Sequence, residues 1–157
     1  MTREGLCIGD EAPDFQLRDQ FGQDVRLGDF RGRKAVALMF YPFAFTGVCT
    51  GELAGVRNRL DEFLTFDTEV LALSCDPIYA LRSFAEAEGL NFPLLSDFWP
   101  HGAVASAYEV FDQVKGAPRR SSYVVDRSGR LTWSVHNANP DGRDLDEHLR
   151  QLHAAVS

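Results

Sequence analysis

Among the side chains of this chain, the sulfur of Cys49 stands in the most suggestive company. It lies within Pro42-Phe43-Ala44-Phe45-Thr46-Gly47-Val48-Cys49-Thr50-Gly51-Glu52. A thiolate, unlike a thiol, is a strong nucleophile and is readily oxidised. Thr46, three residues before the sulfur, brings a hydroxyl that can donate and accept a hydrogen bond. Glu52, three residues after it, brings a carboxylate one helical turn on that can orient a basic partner. Pro42 has no N–H and gives the segment a rigid start. The plain alternatives are a small buried hydrophobe for Cys49 and a helix-start carboxylate for Glu52.

The flanking residues say how such a group is held. Ala35-Val36-Ala37-Leu38-Met39-Phe40 is an unbroken apolar run, the pattern of a strand buried on both faces. After the cysteine, Leu53, Val56, Leu60, Phe63 and Leu64 recur at helical spacing over a polar background. The predicted arrangement is a strand ending near Tyr41, a short loop, and a helix from about 49 to 65. It puts the thiol in the first turn of a helix. The unpaired amides and the dipole there favour an anion, and can lower a cysteine from its usual pKa of ~8.5.

The wider composition sets limits. The chain has 157 residues, 45% apolar and 25% charged, which suits one globular domain over 1–157. Its net charge of −7 argues against nucleic acid or an anionic membrane as partner. No apolar run approaches a membrane span, and residues 1–7 carry no secretory pattern, so a cytoplasmic protein is expected. Cys7, Cys49 and Cys75 are an odd set without a C-x-x-C. They suggest neither a disulfide framework nor a zinc ribbon, and the pattern calls for no cofactor and no metal. His136, His148 and His153 read as surface or strand-end residues.

Along the chain, residues 14–18 and 24–27 alternate around the turn 19–23 and read as an N-terminal hairpin. Residues 70–74 are a second buried strand, followed by a helix over 78–88 with Gly89 as its C-cap. A short extended piece at 92–96 and helical spacing near 103–108 come next. Strands over 122–126 and 131–135 and a closing helix over 143–155 complete the pattern. Strands alternating with helices and ending in a hairpin and a helix indicate an α/β fold with a mixed sheet. Ligands in such sheets bind beyond the carboxyl ends of the strands, where Cys49 lies.

The spacing Pro42-x-x-x-Thr46-x-x-Cys49, with Glu52 beyond it, resembles the active-site motif of the peroxiredoxins. Gly9-Asp10-Glu11-Ala12-Pro13-Asp14-Phe15 resembles their opening segment, and residues 44–53 and 92–105 resemble the one-cysteine AhpE-type group of actinobacteria. The resemblance implies a thioredoxin-like fold, a central mixed sheet flanked by helices with an extra N-terminal β-hairpin. It also implies an arginine three residues before an aromatic residue of a late strand. Arg120, before Tyr123, fits that spacing, and the adjacent Arg119 then reads as a surface residue.

On this resemblance, Cys49 attacks a hydroperoxide and becomes a sulfenic acid, with Thr46 and Arg120 holding the peroxide. Pro42 shields the sulfur and Glu52 holds Arg120. No cysteine follows Cys75, and Ala54 stands where a second cysteine five residues after Cys49 would be. An external thiol, mycothiol with a mycoredoxin-like or thioredoxin-like partner, is the expected reductant. Cys75 and then Cys7 are the alternative resolving residues. A peroxide sensor or redox chaperone is the reading from another class, and a thiol–disulfide oxidoreductase lacks its second thiol. The family also implies a homodimer or larger homo-oligomer, with Phe98, Trp99 and His101 as either a packed loop or an oligomer contact.

Overall fold

The structure is a computed structural model and describes residues 6–136 and 143–156. Alternating residues on either side of Asp19-Gln20-Phe21-Gly22-Gln23 pair as an antiparallel hairpin, β1 (Gln16–Arg18) and β2 (Asp24–Arg26). The Asp19 carboxylate accepts from the amides of Phe21 and Gln23, which closes the turn. The expected strand does not continue through Leu27. Residues Leu27–Phe30 form a 3₁₀ turn instead, and the Asp14 carboxylate accepts the Gly28 amide at 2.8 Å.

The apolar run is β3 (Ala35–Phe40), buried at every residue. It is followed by α1 (Gly47–Asn58), a short α2 (Leu60–Phe63) and β4 (Thr68–Ser74). The single helix expected from 49 to 65 is thus two. Arg59 leaves helical dihedrals at φ −123° and ψ 25°. Phe63 is nevertheless buried, so the apolar stripe runs across the break, and periodicity does not register it.

Next come α3 (Ile78–Glu88), β5 (Leu94–Ser96) and α4 (Ala103–Ala107). As expected, α3 ends on Gly89 in a left-handed conformation at φ +64°. A two-residue hairpin, β6 (Phe111–Asp112) with β7 (Ala117–Pro118), is too short for any periodic signal. The chain then forms β8 (Ser121–Val125), β9 (Leu131–His136) and α5 (Leu145–Ala154).

The main sheet runs β2-β1-β5-β4-β3-β8-β9. β3, β4 and β5 are parallel, whereas β8 runs antiparallel to β3. Successive residues of β3 serve opposite faces. Ala35, Ala37 and Met39 pack with Leu53, Val56, Leu81, Phe84, Leu149 and Leu152 from α1, α3 and α5. Val36, Leu38 and Phe40 pack with Phe15, Leu17, Tyr108 and Tyr123 on the other side. The expected α/β architecture with a mixed sheet and N-terminal hairpin is therefore present. Among the described residues, no helix is long and apolar enough to cross a membrane.

One register fixes what meets at the sheet edge. Phe40 pairs with Ser121, so the start of β8 lies across from the end of β3. Arg120, the residue before β8, is thereby delivered to the edge where the loop toward Cys49 begins.

Gly102, which leads into α4, has φ +73°, and a Cβ there would sit 2.3 Å from Phe111 Cε1. Gly102→Ala is expected to lower the unfolding free energy by roughly 2 kcal/mol or more, from backbone strain and overpacking together. Urea unfolding measures this, and an unchanged midpoint contradicts it.

Candidate active site

After Tyr41 the chain must leave a buried strand and re-aim as a helix within five residues. Two features achieve that turn. Phe45 adopts φ +68°, a left-handed conformation that a non-glycine residue rarely takes. The Asp76 carboxylate, just beyond β4, accepts the Ala44 amide at 2.9 Å and the Ser74 hydroxyl at 2.8 Å. The loop is thus tied to the neighbouring strand.

Thr46 occupies the N-cap position of α1 in extended conformation, and the first intrahelical bond runs from the Thr50 amide to its carbonyl. Gly47, Val48 and Cys49 form the first turn, so their amides precede that bond. The Thr46 hydroxyl does not cap the helix. It donates to the Phe43 carbonyl at 2.7 Å, which leaves its lone pairs at the exposed surface of the loop. Pro42 is half-buried.

Cys49 is fully buried against the sheet. The Arg120 guanidinium donates from Nη1 to the Cys49 sulfur at 3.4 Å and from the same nitrogen to the Glu52 carboxylate. Helical spacing explains the second contact, because Glu52 is one turn beyond Cys49 on the same side of α1. The structure therefore brings Cys49, Glu52 and Arg120 together. Arg119 is exposed and donates to the Glu109 carbonyl.

A second arginine, which sequence reading passed over, completes the cluster. Arg143 donates from Nε to Glu52 at 2.9 Å. Its other nitrogens donate to the Ser121 carbonyl at 2.8 Å, the Ser122 hydroxyl at 2.7 Å and the Phe40 carbonyl. Burial pulls its guanidinium below the usual arginine value, and Glu52 opposes that pull. Two guanidinium groups on one carboxylate leave one formal positive charge, which a thiolate at Cys49 would cancel. The available signal was the cap. Asp144 accepts the Glu147 amide at 3.1 Å as N-cap of α5, and that Asp-x-x-Glu pattern sets Arg143 just outside the helix.

The histidine expectation needs correction. His148 does not face solvent but is 1% exposed. Helical spacing puts it next to Leu149 on the inward side of α5, where Trp133 of β9 packs at a ring distance of 4.9 Å. Its Nδ1 lies 2.6 Å from the Asp144 carbonyl and its Nε2 lies 2.7 Å from the Ser122 hydroxyl. Burial pushes it down to about 4, aided by Arg143 and opposed by Asp144 and Glu147.

Cys75, at the end of β4, is also buried, but in the opposite electrostatic setting. Burial and the Asp97 and Asp76 carboxylates push its thiol up to about 12. Among the described residues, no hydrogen bond joins it to the cluster around Cys49. Phe98 and Trp99 are exposed, whereas His101 bonds the Phe98 and Gly116 carbonyls.

The profile of the AhpC/TSA family matches residues 8–134. The chain is 48% identical over 139 residues to alkyl hydroperoxide reductase E of Mycobacterium tuberculosis, covering 88% of this chain and 91% of that protein. Among solved structures, it is similar to peroxidoxin BcpB of Mycobacterium tuberculosis, with a TM-score of 0.83, 32% identity and coverage of 94% and 96%. It is also similar to the reduced 2-Cys peroxiredoxin of Plasmodium vivax, with a TM-score of 0.84, 30% identity and coverage of 95% and 96%.

The depressed His148 gives a pH test with a definite sign. Above its unfolded value of about 6.5 the ring is neutral in both states, and its contribution is fully present. Below that, the unfolded chain takes up a proton that the folded chain refuses, and stability falls toward pH 4. His148→Gln removes this component. Between pH 7 and 4.5 the wild type is expected to lose roughly 2–3 kcal/mol more than the variant. Urea unfolding of both proteins at the two pH values decides it; equal losses contradict the assignment.

Proposed function

The chain belongs to the AhpC/TSA family as an AhpE-like peroxiredoxin, a thiol-dependent peroxidase, and from that premise we propose that Cys49 is its peroxidatic residue. The observation that carries the proposal is the Arg120 hydrogen bond to the Cys49 sulfur within a cluster left with one positive charge. A thiolate there attacks one oxygen of a hydroperoxide. The sulfur–oxygen bond forms as the oxygen–oxygen bond breaks. The sulfur is oxidised to a sulfenic acid, and the peroxide is reduced to water or an alcohol once the leaving oxygen takes a proton.

Each neighbour has a physical task. Arg120 meets the negative charge that spreads from sulfur to the leaving oxygen in the transition state. The Thr46 hydroxyl and the amides of the first turn of α1 hold the peroxide in line with the sulfur. Pro42 limits water at the sulfur, and Glu52 holds Arg120. We assign reduction of the sulfenic acid to an external thiol, a mycothiol or redoxin system. Cys75 suits a resolving role poorly, because a thiol set between two carboxylates is seldom the attacking thiolate.

Cys49 and Cys75 are both unbridged thiols, in keeping with one domain working in the reducing cytoplasm. A homodimer is the assembly this reading expects, and exposed Phe43, Phe45, Tyr79 and Trp99 offer it apolar surface.

Stopped-flow oxidation by hydrogen peroxide tests the assignment. Wild type is expected to oxidise far faster than free cysteine, Cys49→Ser not at all, and Arg120→Met slower by on the order of a hundredfold. Dimedone should trap one sulfenic acid, and Cys75→Ser should leave turnover with external thiol unchanged. Loss of two thiols without added oxygen, abolished by Cys75→Ser, would make Cys75 the resolver. Oxidation without thiol-driven turnover would favour a sensor.

A further inference from the structure

Hydrogen bonds have direction, and at His148 the direction is fixed by a single carbonyl. The Asp144 carbonyl can only accept, so Nδ1 of His148, 2.6 Å away, carries the hydrogen. In the neutral ring Nε2 is then an acceptor. The Ser122 hydroxyl, 2.7 Å from it, must therefore donate to it. With its hydrogen committed, Ser122 Oγ turns its lone pairs to the Nη1 of Arg143 at 2.7 Å. Arg143 donates to Glu52, and Glu52 accepts from Arg120, which reaches the Cys49 sulfur. Donor and acceptor alternate without conflict along the whole path.

We propose that His148 is a positioning residue for the Cys49 site, setting through Ser122 the pose of Arg143 and hence of Glu52 and Arg120. This rests on the peroxidase reading above. His148 touches no reacting atom and acts only through these partners. Its surroundings are consistent with a ring kept neutral for this purpose. Arg143 stands on one side, the Trp133 ring covers it, and the carboxylates of Asp144 and Glu147 lie along α5. A protonated ring would donate from Nε2 as well. Ser122 would then accept twice and lose the acceptor for its own hydrogen, and two cations would share one buried space.

A buried ring that only fills space predicts a different pattern of effects. A leucine at 148 keeps the apolar contact with Trp133 but removes the acceptor, whereas a glutamine oxygen can reach the Nε2 position and restores it. The experiment measures the second-order rate constant of Cys49 with hydrogen peroxide, and in parallel with iodoacetamide, for His148→Leu, His148→Gln, Ser122→Ala and the double variant His148→Leu/Ser122→Ala. His148→Leu and Ser122→Ala are each expected to slow the peroxide reaction about tenfold, the worth of one buried hydrogen bond in a barrier. The double variant should be no slower than the slower single, because one link cannot be cut twice. His148→Gln should stay within about threefold of wild type.

Additive losses, or a glutamine variant as slow as the leucine variant, would overturn the positioning role. Should His148→Leu fail to fold, Ser122→Ala at the wild-type rate overturns it alone. A wild type that reacts slowly with peroxide would instead sink the peroxidase reading. The iodoacetamide series judges the coupling separately, and unchanged alkylation in both single variants refutes it.

Discussion

A carboxylate buried in a protein core is costly unless its charge is met, and Glu52, with a side chain 5% exposed, is met from two directions. Arg120 arrives at the start of β8 and Arg143 arrives just before α5, so two late segments of the chain close on a residue of α1. Local structure around Cys49 is therefore incomplete without the last third of the chain. Strand, loop and helix can put a sulfur at the sheet edge. Only the antiparallel insertion of β8 beside β3 and the return of α5 over the sheet supply cations there. The register Phe40 to Ser121 and the cap at Asp144 are as much part of the candidate site as the loop that names it.

The same sheet edge carries two buried thiols in contrary fields. Tyr41 and Cys75 follow directly on the parallel pair β3 and β4, and the Asp76 carboxylate bonds the loop that leads from one strand to Cys49. Yet Cys49 has a guanidinium donor on its sulfur, whereas Cys75 has Asp97 and Asp76 as its charged neighbours. Asp97 is itself occupied at the start of α4, where it accepts the amides of Val104 and Ala105. A carboxylate used to start a helix thus has a second effect, adding to the burial that pushes the adjacent thiol upward. Both sulfurs lie near this edge, and the sign of the neighbouring charge is what separates their surroundings.

The sequence disclosed what depends on local pattern. The buried strands, the helix at Cys49 and the Gly89 cap all follow from periodicity and end signals carried by a few neighbouring residues. Arg120 was legible only through the family resemblance, which implies an arginine three residues before a late-strand aromatic, and Glu52 because helical spacing puts it beside Cys49. Arg143, Ser122 and His148 were not legible, for a physical reason. Each looks ordinary in its own segment: a charge before a helix, a small polar residue in a strand, a histidine in an amphipathic helix. Their meaning arises only where β8 and α5 meet. The break at Arg59 escaped for the converse reason, because Leu60 and Phe63 keep the apolar stripe intact through it.

A buried network of this kind is poor value if stability is its only purpose. Well-packed apolar residues often match or exceed a buried ion pair in stability, because desolvating two arginines and a carboxylate consumes much of what their attraction returns. The lone positive charge left over makes the arrangement less favourable still as a purely structural device. A chain under pressure for stability alone has cheaper ways to fill the space among β3, β8 and α5. The arrangement makes sense when a further negative charge is added at the sulfur, since the cluster then sums to zero and each guanidinium has an anionic partner. The unbalanced charge thus points outward from the network to Cys49. It also explains why rigidity matters here. Arg120 divides one nitrogen between sulfur and carboxylate, so a small shift of Glu52 transfers that donor from one acceptor to the other. Four acceptors on Arg143, and behind them the neutral ring of His148, restrain that shift.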